Sequence, residues 1–186
     1  PGRITFVGTV GEEGLGDLRG VKHLFGPTGL QPIDRFVSID GEGLGVTHIA
    51  IGSARFRVTF KGPGGHSFGS FGVVNPIHAL GRAMARIADF QVPGSPRTTF
   101  NVGRVGGGTS INAIASEAWM EVDLRSGDTA ALRSLEKQFR QAVNDAVAQE
   151  NARWNSSALT VSIETVGMRP AGRLPASAPI VQTAIS

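Results

Sequence analysis

Two adjacent carboxylates, Glu12 and Glu13, stand on the glycine-flanked turn Gly11-Glu12-Glu13-Gly14, directly after the apolar run Ile4-Thr5-Phe6-Val7-Gly8-Thr9-Val10. Neighbouring like charges repel, and beside a strand end they also lose solvent, so a bound cation or a proton-transfer duty would explain the arrangement. A solvated turn is the commoner meaning of such a pair taken alone. Asp40 follows a second apolar run, Arg35-Phe36-Val37-Ser38-Ile39. By itself it reads as a loop aspartate satisfying its own turn. His66 lies between Gly64-Gly65 and Ser67, where the backbone is unusually free and the ring can be held out of the fold. A lone histidine is otherwise an ordinary surface or core residue. Arg125 closes an apolar alternation, where its planar donors could grip a carboxylate with two bonds or form a strand-end salt bridge.

Composition narrows the classes of function. The 186 residues have room for one ordinary domain, or for one domain and part of another. With 40% hydrophobic residues a packed core is expected, and no apolar run approaches the roughly 20 residues of a membrane span. Cysteine is absent, which excludes a disulfide framework, a thiolate metal site and a cysteine nucleophile. The net charge is +3, and the basic residues are scattered singly rather than gathered in a stripe with aromatic stacking positions, so nucleic acid is not an expected partner. A soluble protein is expected, with the cytoplasm as its location.

The elements that must position these residues fall into two textures. Residues 1–50 read as α/β: a strand over Ile4–Val10, a short helix near Leu18–Phe25 and a strand over Arg35–Ile39, which puts Glu12, Glu13 and Asp40 at the carboxyl ends of parallel strands. Residues 51–170 read differently. Ala54–Lys61 alternates with period two, placing Phe56, Val58 and Phe60 on one side. Asn75-Pro76 supplies an N-cap and a first-turn proline for a helix with Ile77, Leu80, Met84 and Ile87 on one face. Strands follow at Thr98–Val105 and Glu117–Leu124, then a helix capped by Asp128 with Leu132, Leu135, Phe139, Val143 and Val147 on its face, then a strand over Leu159–Ile163. The order β-α-β-β-α-β predicts an α+β fold, a four-stranded antiparallel sheet with both helices on one face, attached to a partial α/β domain. Residues 171–186 read as the start of a return into that domain. Neither end reads as a natural terminus: the chain opens in mid-strand at Pro1-Gly2-Arg3-Ile4 and closes in a loop entering a helix.

In order along the chain come Thr9-Val10-Gly11-Glu12-Glu13-Gly14, Ser38-Ile39-Asp40-Gly41, Gly64-Gly65-His66-Ser67, Asn101-Val102-Gly103 with Gly106-Gly107, Ser110-Ile111-Asn112, and Val122-Asp123-Leu124-Arg125. Through these pieces nearly the whole chain resembles the M20 family of zinc-dependent peptidases and amidohydrolases. The resemblance implies that Glu12 is a general base and later acid, that Glu13 coordinates one zinc ion of a pair and that Asp40 coordinates the other. It implies that His66, on an inserted lid domain, reaches into the partner subunit's active site and stabilises the carbonyl oxyanion. Asn112 and Arg125 match substrate-side positions of the lid. The same lid is expected to make a homodimer, and an exposed sheet edge suits that role. Small peptides are the first expected substrates and N-acyl amino acids the second.

The family's early His-x-Asp pair, its bridging aspartate and its final histidine ligand have no counterpart here; His23 and His48 follow the Glu-Glu turn, and no histidine follows Arg173. The chain is therefore expected to be a piece of a metallohydrolase, inactive by itself, since the carboxylates it offers cannot close a dinuclear site. A non-catalytic module for dimerisation or small-ligand binding is the alternative.

Overall fold

The computed structural model of the chain describes residues 2–30 and 32–186, so Pro1, expected to open in mid-strand, lies outside them. A single 3-10 turn, Gly14–Gly16, precedes helix α1, Arg19–Leu24. The later elements are β1 Ile49–Ala50, β2 Gly52–Lys61, β3 Gly65–His66, α2 Pro76–Ala88, β4 Thr98–Gly107, β5 Ala113–Ile114, β6 Glu117–Ser126, α3 Thr129–Arg153, β7 Thr160–Arg169, β8 Gly172–Arg173 and α4 Pro179–Ile185. Ala50–Gly172 form one compact unit; the residues before Ala50 and after Gly172 form another.

The larger unit is the expected antiparallel sheet, ordered β4-β6-β2-β7, so β4 and β7 are its edges. Alternation decides which face is covered. Ala54, Phe56, Val58 and Phe60 of β2 and Ala118, Met120, Val122 and Leu124 of β6 are all buried, and the register sets Phe56 opposite Val122 and Val58 opposite Met120. Ala79, Leu80, Ala83 and Ile87 of α2 and Leu132, Leu135, Phe139 and Val143 of α3 cover that face in the same core. The rings of Phe56 and Phe139 stack at 5.0 Å; burying side chains of this size contributes on the order of 1.5–3 kcal/mol each. Of the faces expected from sequence, Met84 and Val147 pack only partly buried at the margin of the core, and Ile77 is exposed at the start of α2.

Both long helices begin as their capping residues dictate. The Asn75 Oδ1 accepts from the Ile77 N–H at 2.9 Å, and the Asp128 Oδ1 accepts from the Ala131 N–H at 2.8 Å. Asn75→Ala is expected to cost about 1 kcal/mol of stability, measured as a shift in urea midpoint with unchanged slope.

The uncovered face of the sheet is a ladder of paired charges. The Arg57 guanidinium donates to Glu121 at 2.8 Å and Arg104 donates to the other oxygen of the same carboxylate at 2.9 Å. Arg55 donates to Asp123 at 3.1 Å. Arg57 also lies over the Trp119 ring, 4.0 Å from its centroid. Opposite charges across neighbouring strands support the pairing by a few tenths to about 1 kcal/mol each.

In the smaller unit the helix expected near Leu18–Phe25 forms as α1. The strands expected over Ile4–Val10 and Arg35–Ile39 do not form: both stretches run without a ladder partner among the described residues. Ile4, Phe6 and Ile39 are 83%, 93% and 95% exposed, so the apolar side chains of these runs stand largely uncovered. A β-rich apolar sequence becomes a strand only when neighbouring strands take its backbone groups. No helix among the described residues is long and apolar enough to cross a membrane.

Candidate functional site

The turn bearing Glu12 and Glu13 is built by close backbone approach. The Gly20 N–H donates to the Val10 carbonyl at 3.0 Å, and Gly20 lies so near Val10 that an added Cβ would sit 2.7 Å from the Val10 nitrogen. The chain thus doubles back on itself around the two carboxylates. Glu13 occupies the N-cap position of the 3-10 turn with extended backbone, and its side chain makes no capping hydrogen bond. Glu12, Glu13 and Asp40 are all exposed. Among the described residues no three side chains of His, Cys, Asp or Glu converge into a group that could hold a metal ion.

In the larger unit two of the expected residues come together. β3 and β5 pair antiparallel with Gly65 opposite Ile114 and His66 opposite Ala113. One step beyond, the Ser67 N–H donates to the Asn112 carbonyl at 2.9 Å. This two-stranded arm stands apart from the four-stranded sheet and carries His66 and Asn112, both exposed, at its tip. The glycine before the histidine is required: Gly65 has φ +151°, and a Cβ there would sit 2.7 Å from the Ser70 side chain. Ser70 must stay close because its N–H donates to the His66 carbonyl at 2.9 Å, closing the turn after the histidine.

Internal hydrogen bonds orient both side chains. The N–H groups of Phe68 and Gly69 each lie 3.3 Å from the His66 Nδ1 and donate to it. The Ser110 hydroxyl donates to the Asn112 Oδ1. In the sequence Ser110 enters only through the motif Ser110-Ile111-Asn112, yet Ser-x-Asn on a turn is a spacing at which the two side chains can meet. Phe68 and Ile111, beside these residues on the two sides of the arm, are exposed apolar side chains.

Arg125 lies elsewhere, on β6, where its neighbours across the ladders are Ser53 and Thr99. Its guanidinium donates to Asp123 at 2.6 Å, the same carboxylate that Arg55 holds through its other oxygen. Arg125 thus stands at the end of a charge ladder, with its Nε–H, one of five guanidinium donors, engaged by Asp123.

The larger unit is thus a four-stranded antiparallel sheet under two helices, with a short histidine-bearing arm. Residues 50–151 match the family model described as a peptidase dimerisation domain, of the M20 type, and the chain belongs to that family. Solved structures share the fold. An aminobenzoyl-glutamate utilization protein from Klebsiella pneumoniae is 21% identical with a TM-score of 0.62, over 73% of this chain and 35% of its own. An aminopeptidase PepT from Bacillus cereus is 17% identical with a TM-score of 0.61, over 78% of this chain and 37% of its own. A tripeptidase from Staphylococcus aureus is 19% identical with a TM-score of 0.58, over 73% of this chain and 34% of its own. The matched region thus spans only about a third of the length of each of these proteins. No curated protein matches the chain. The family's enzymes are peptidases and amidohydrolases that generally use zinc.

Proposed function

We propose that this chain is the Glu-Glu segment and the lid of a zinc-dependent M20-type hydrolase that cleaves peptide or amide bonds of small peptides, with N-acyl amino acids as the second substrate class. The observation that carries the reading is the match of residues 50–151 to a peptidase dimerisation domain. In this reading Glu13 and Asp40 each give one carboxylate to metal, and the remaining ligands come from residues other than those described. Glu12 carries the proton from the attacking water to the leaving nitrogen. His66 and Asn112 offer N–H donors to the substrate's oxygens, His66 from one subunit serving the other's active site. Arg125 takes the substrate carboxylate through guanidinium donors other than the Nε–H that Asp123 holds.

The same reading assigns a homodimer to the lid. Of the two sheet edges, β4 lies inside the matched region and β7, at Thr160–Arg169, lies beyond it. Beside β4 runs an open groove of about 380 Å³ lined by Met84, Ile87, Ala88, Phe100, Asn101 and Val102. Apolar surface beside unpaired backbone groups suits a second copy pairing strand to strand. Light scattering should give twice the chain mass. Met84→Arg should restore the single mass with an unchanged far-ultraviolet circular dichroism spectrum; a wild-type monomer at high micromolar concentration would sink the dimer.

Hydrolysis is tested with zinc and a panel of dipeptides, tripeptides and N-acyl amino acids, using this chain and the complete polypeptide that carries it. Turnover is expected from the complete polypeptide only. Silence from a metal-loaded complete polypeptide across the panel would leave the non-catalytic module as the answer, and turnover by this chain alone would overturn its assignment as an incomplete site.

A further inference from the structure

The His66 and Asn112 side chains each have two chemically different ends, and in both the acceptor end takes a hydrogen bond inside the arm. His66 could present either ring nitrogen. Its Nδ1 faces two backbone donors, the N–H groups of Phe68 and Gly69, both at 3.3 Å. An N–H cannot donate to a nitrogen that already carries a proton, so this arrangement requires a bare Nδ1 and, in the neutral ring, a proton on Nε2. Asn112 could present either its oxygen or its NH2. Its Oδ1 accepts from the Ser110 hydroxyl, which leaves Nδ2 turned away.

We infer that Ser110 and the backbone amides of Phe68 and Gly69 are positioning groups that preset two outward donors on the arm, His66 as the Nε2–H tautomer and Asn112 with its NH2 outward. A pair of donors of this kind suits an oxygen with lone pairs, such as that of a carbonyl or carboxylate. Its donors are fixed before a ligand arrives, which removes the cost of reorienting them at the moment of binding. Two short strands with the register Gly65–Ile114 and His66–Ala113 hold the two turns together, so the donors are set by one frame rather than by two independent loops. The identity of the oxygen as that of an amide substrate rests on the hydrolase reading; the preset geometry does not.

A neutron structure of the chain crystallised at neutral pH from deuterium oxide reads the geometry directly. Deuterium on His66 Nε2 with none on Nδ1, and two deuterium atoms on the Asn112 atom directed away from Ser110, are the expected result. Deuterium on Nδ1 alone, or an Asn112 flipped to point its oxygen outward, would overturn the inference. In the complete polypeptide, Ser110→Ala should lower kcat/KM about tenfold, the size expected for losing one orienting hydrogen bond, and Ser110→Thr should restore most of it. A threonine variant as slow as the alanine variant would make Ser110 a packing residue and overturn its positioning role. If the wild type shows no turnover, the hydrolase reading fails and the neutron result alone decides the inference.

Discussion

Replacing Glu150 with alanine is expected to lower the stability of the lid by about 3 kcal/mol, the low end of the range for breaking a buried, hydrogen-bonded charge pair. Glu150 is fully buried on α3, yet its carboxylate is satisfied by donors from three directions. One oxygen accepts from the Asn75 N–H at 3.0 Å and the Trp154 indole N–H at 3.1 Å. The other accepts from the Arg82 guanidinium at 3.2 and 3.3 Å. The side chain thereby ties the start of α2, the middle of α2 and the end of α3 into one knot. Arg82 is partly exposed and regains water when the carboxylate goes, which holds the loss to the low end; the Asn75 and Trp154 donors do not regain as much. Glu150→Gln keeps an oxygen for those two donors but turns an amide toward Arg82, and about 1–2 kcal/mol is expected. Urea unfolding followed by Trp fluorescence checks both. An alanine variant within 0.5 kcal/mol of wild type, roughly the scatter of ordinary surface substitutions, would show that the knot adds nothing.

Glu12→Gln in the complete polypeptide is expected to reduce turnover by about 10²–10⁴-fold, the usual contribution of a positioned general base, while bound zinc stays near the wild-type amount. The amide is nearly the same shape as the carboxylate and cannot accept a proton. Glu13→Gln should do the reverse in part, releasing metal and activity together, because a neutral oxygen is a poorer ligand for a dication. Metal analysis alongside steady-state kinetics separates the two. Loss of zinc from the Glu12 variant would make that residue a ligand and reverse the division of labour.

The lid was legible because its signals are local and repeated. Phe56, Val58 and Phe60 alternate with Arg55, Arg57 and Thr59, and period two leaves little choice of structure. Asn75 and Asp128 name the starts of their helices by side-chain chemistry that works within three residues. The arm was not legible as a paired element. A ladder of two residues on each side has no periodicity, and bringing His66 near Asn112 depends on the long-range pairing of His66 with Ala113 that only the register reveals. Glu150 was also invisible, since a charged residue in a helix reads as solvated until its partners on another helix are known. The runs Ile4–Val10 and Arg35–Ile39 misled in the opposite sense. Their composition favours strands, but pairing is a property of neighbours, and among the described residues no strand pairs with them. The fold class and the family were therefore readable, whereas the roles of Glu12, Glu13, Asp40, His66, Asn112 and Arg125 rest on the experiments above.

β2 is the first long strand of the lid in sequence and one of the two at its centre. Its partner β7 comes last, and the Arg169 side chain that reaches back to Ser53 does so across 116 residues. During synthesis, then, Phe56, Val58 and Phe60 leave the ribosome long before either flanking strand exists. Pairing so distant in sequence is slow, because the loop must close before any contact rewards it. Until β6 and β7 emerge, the apolar side chains and backbone groups of β2 lack their partners, the condition under which nascent chains aggregate or call on chaperones.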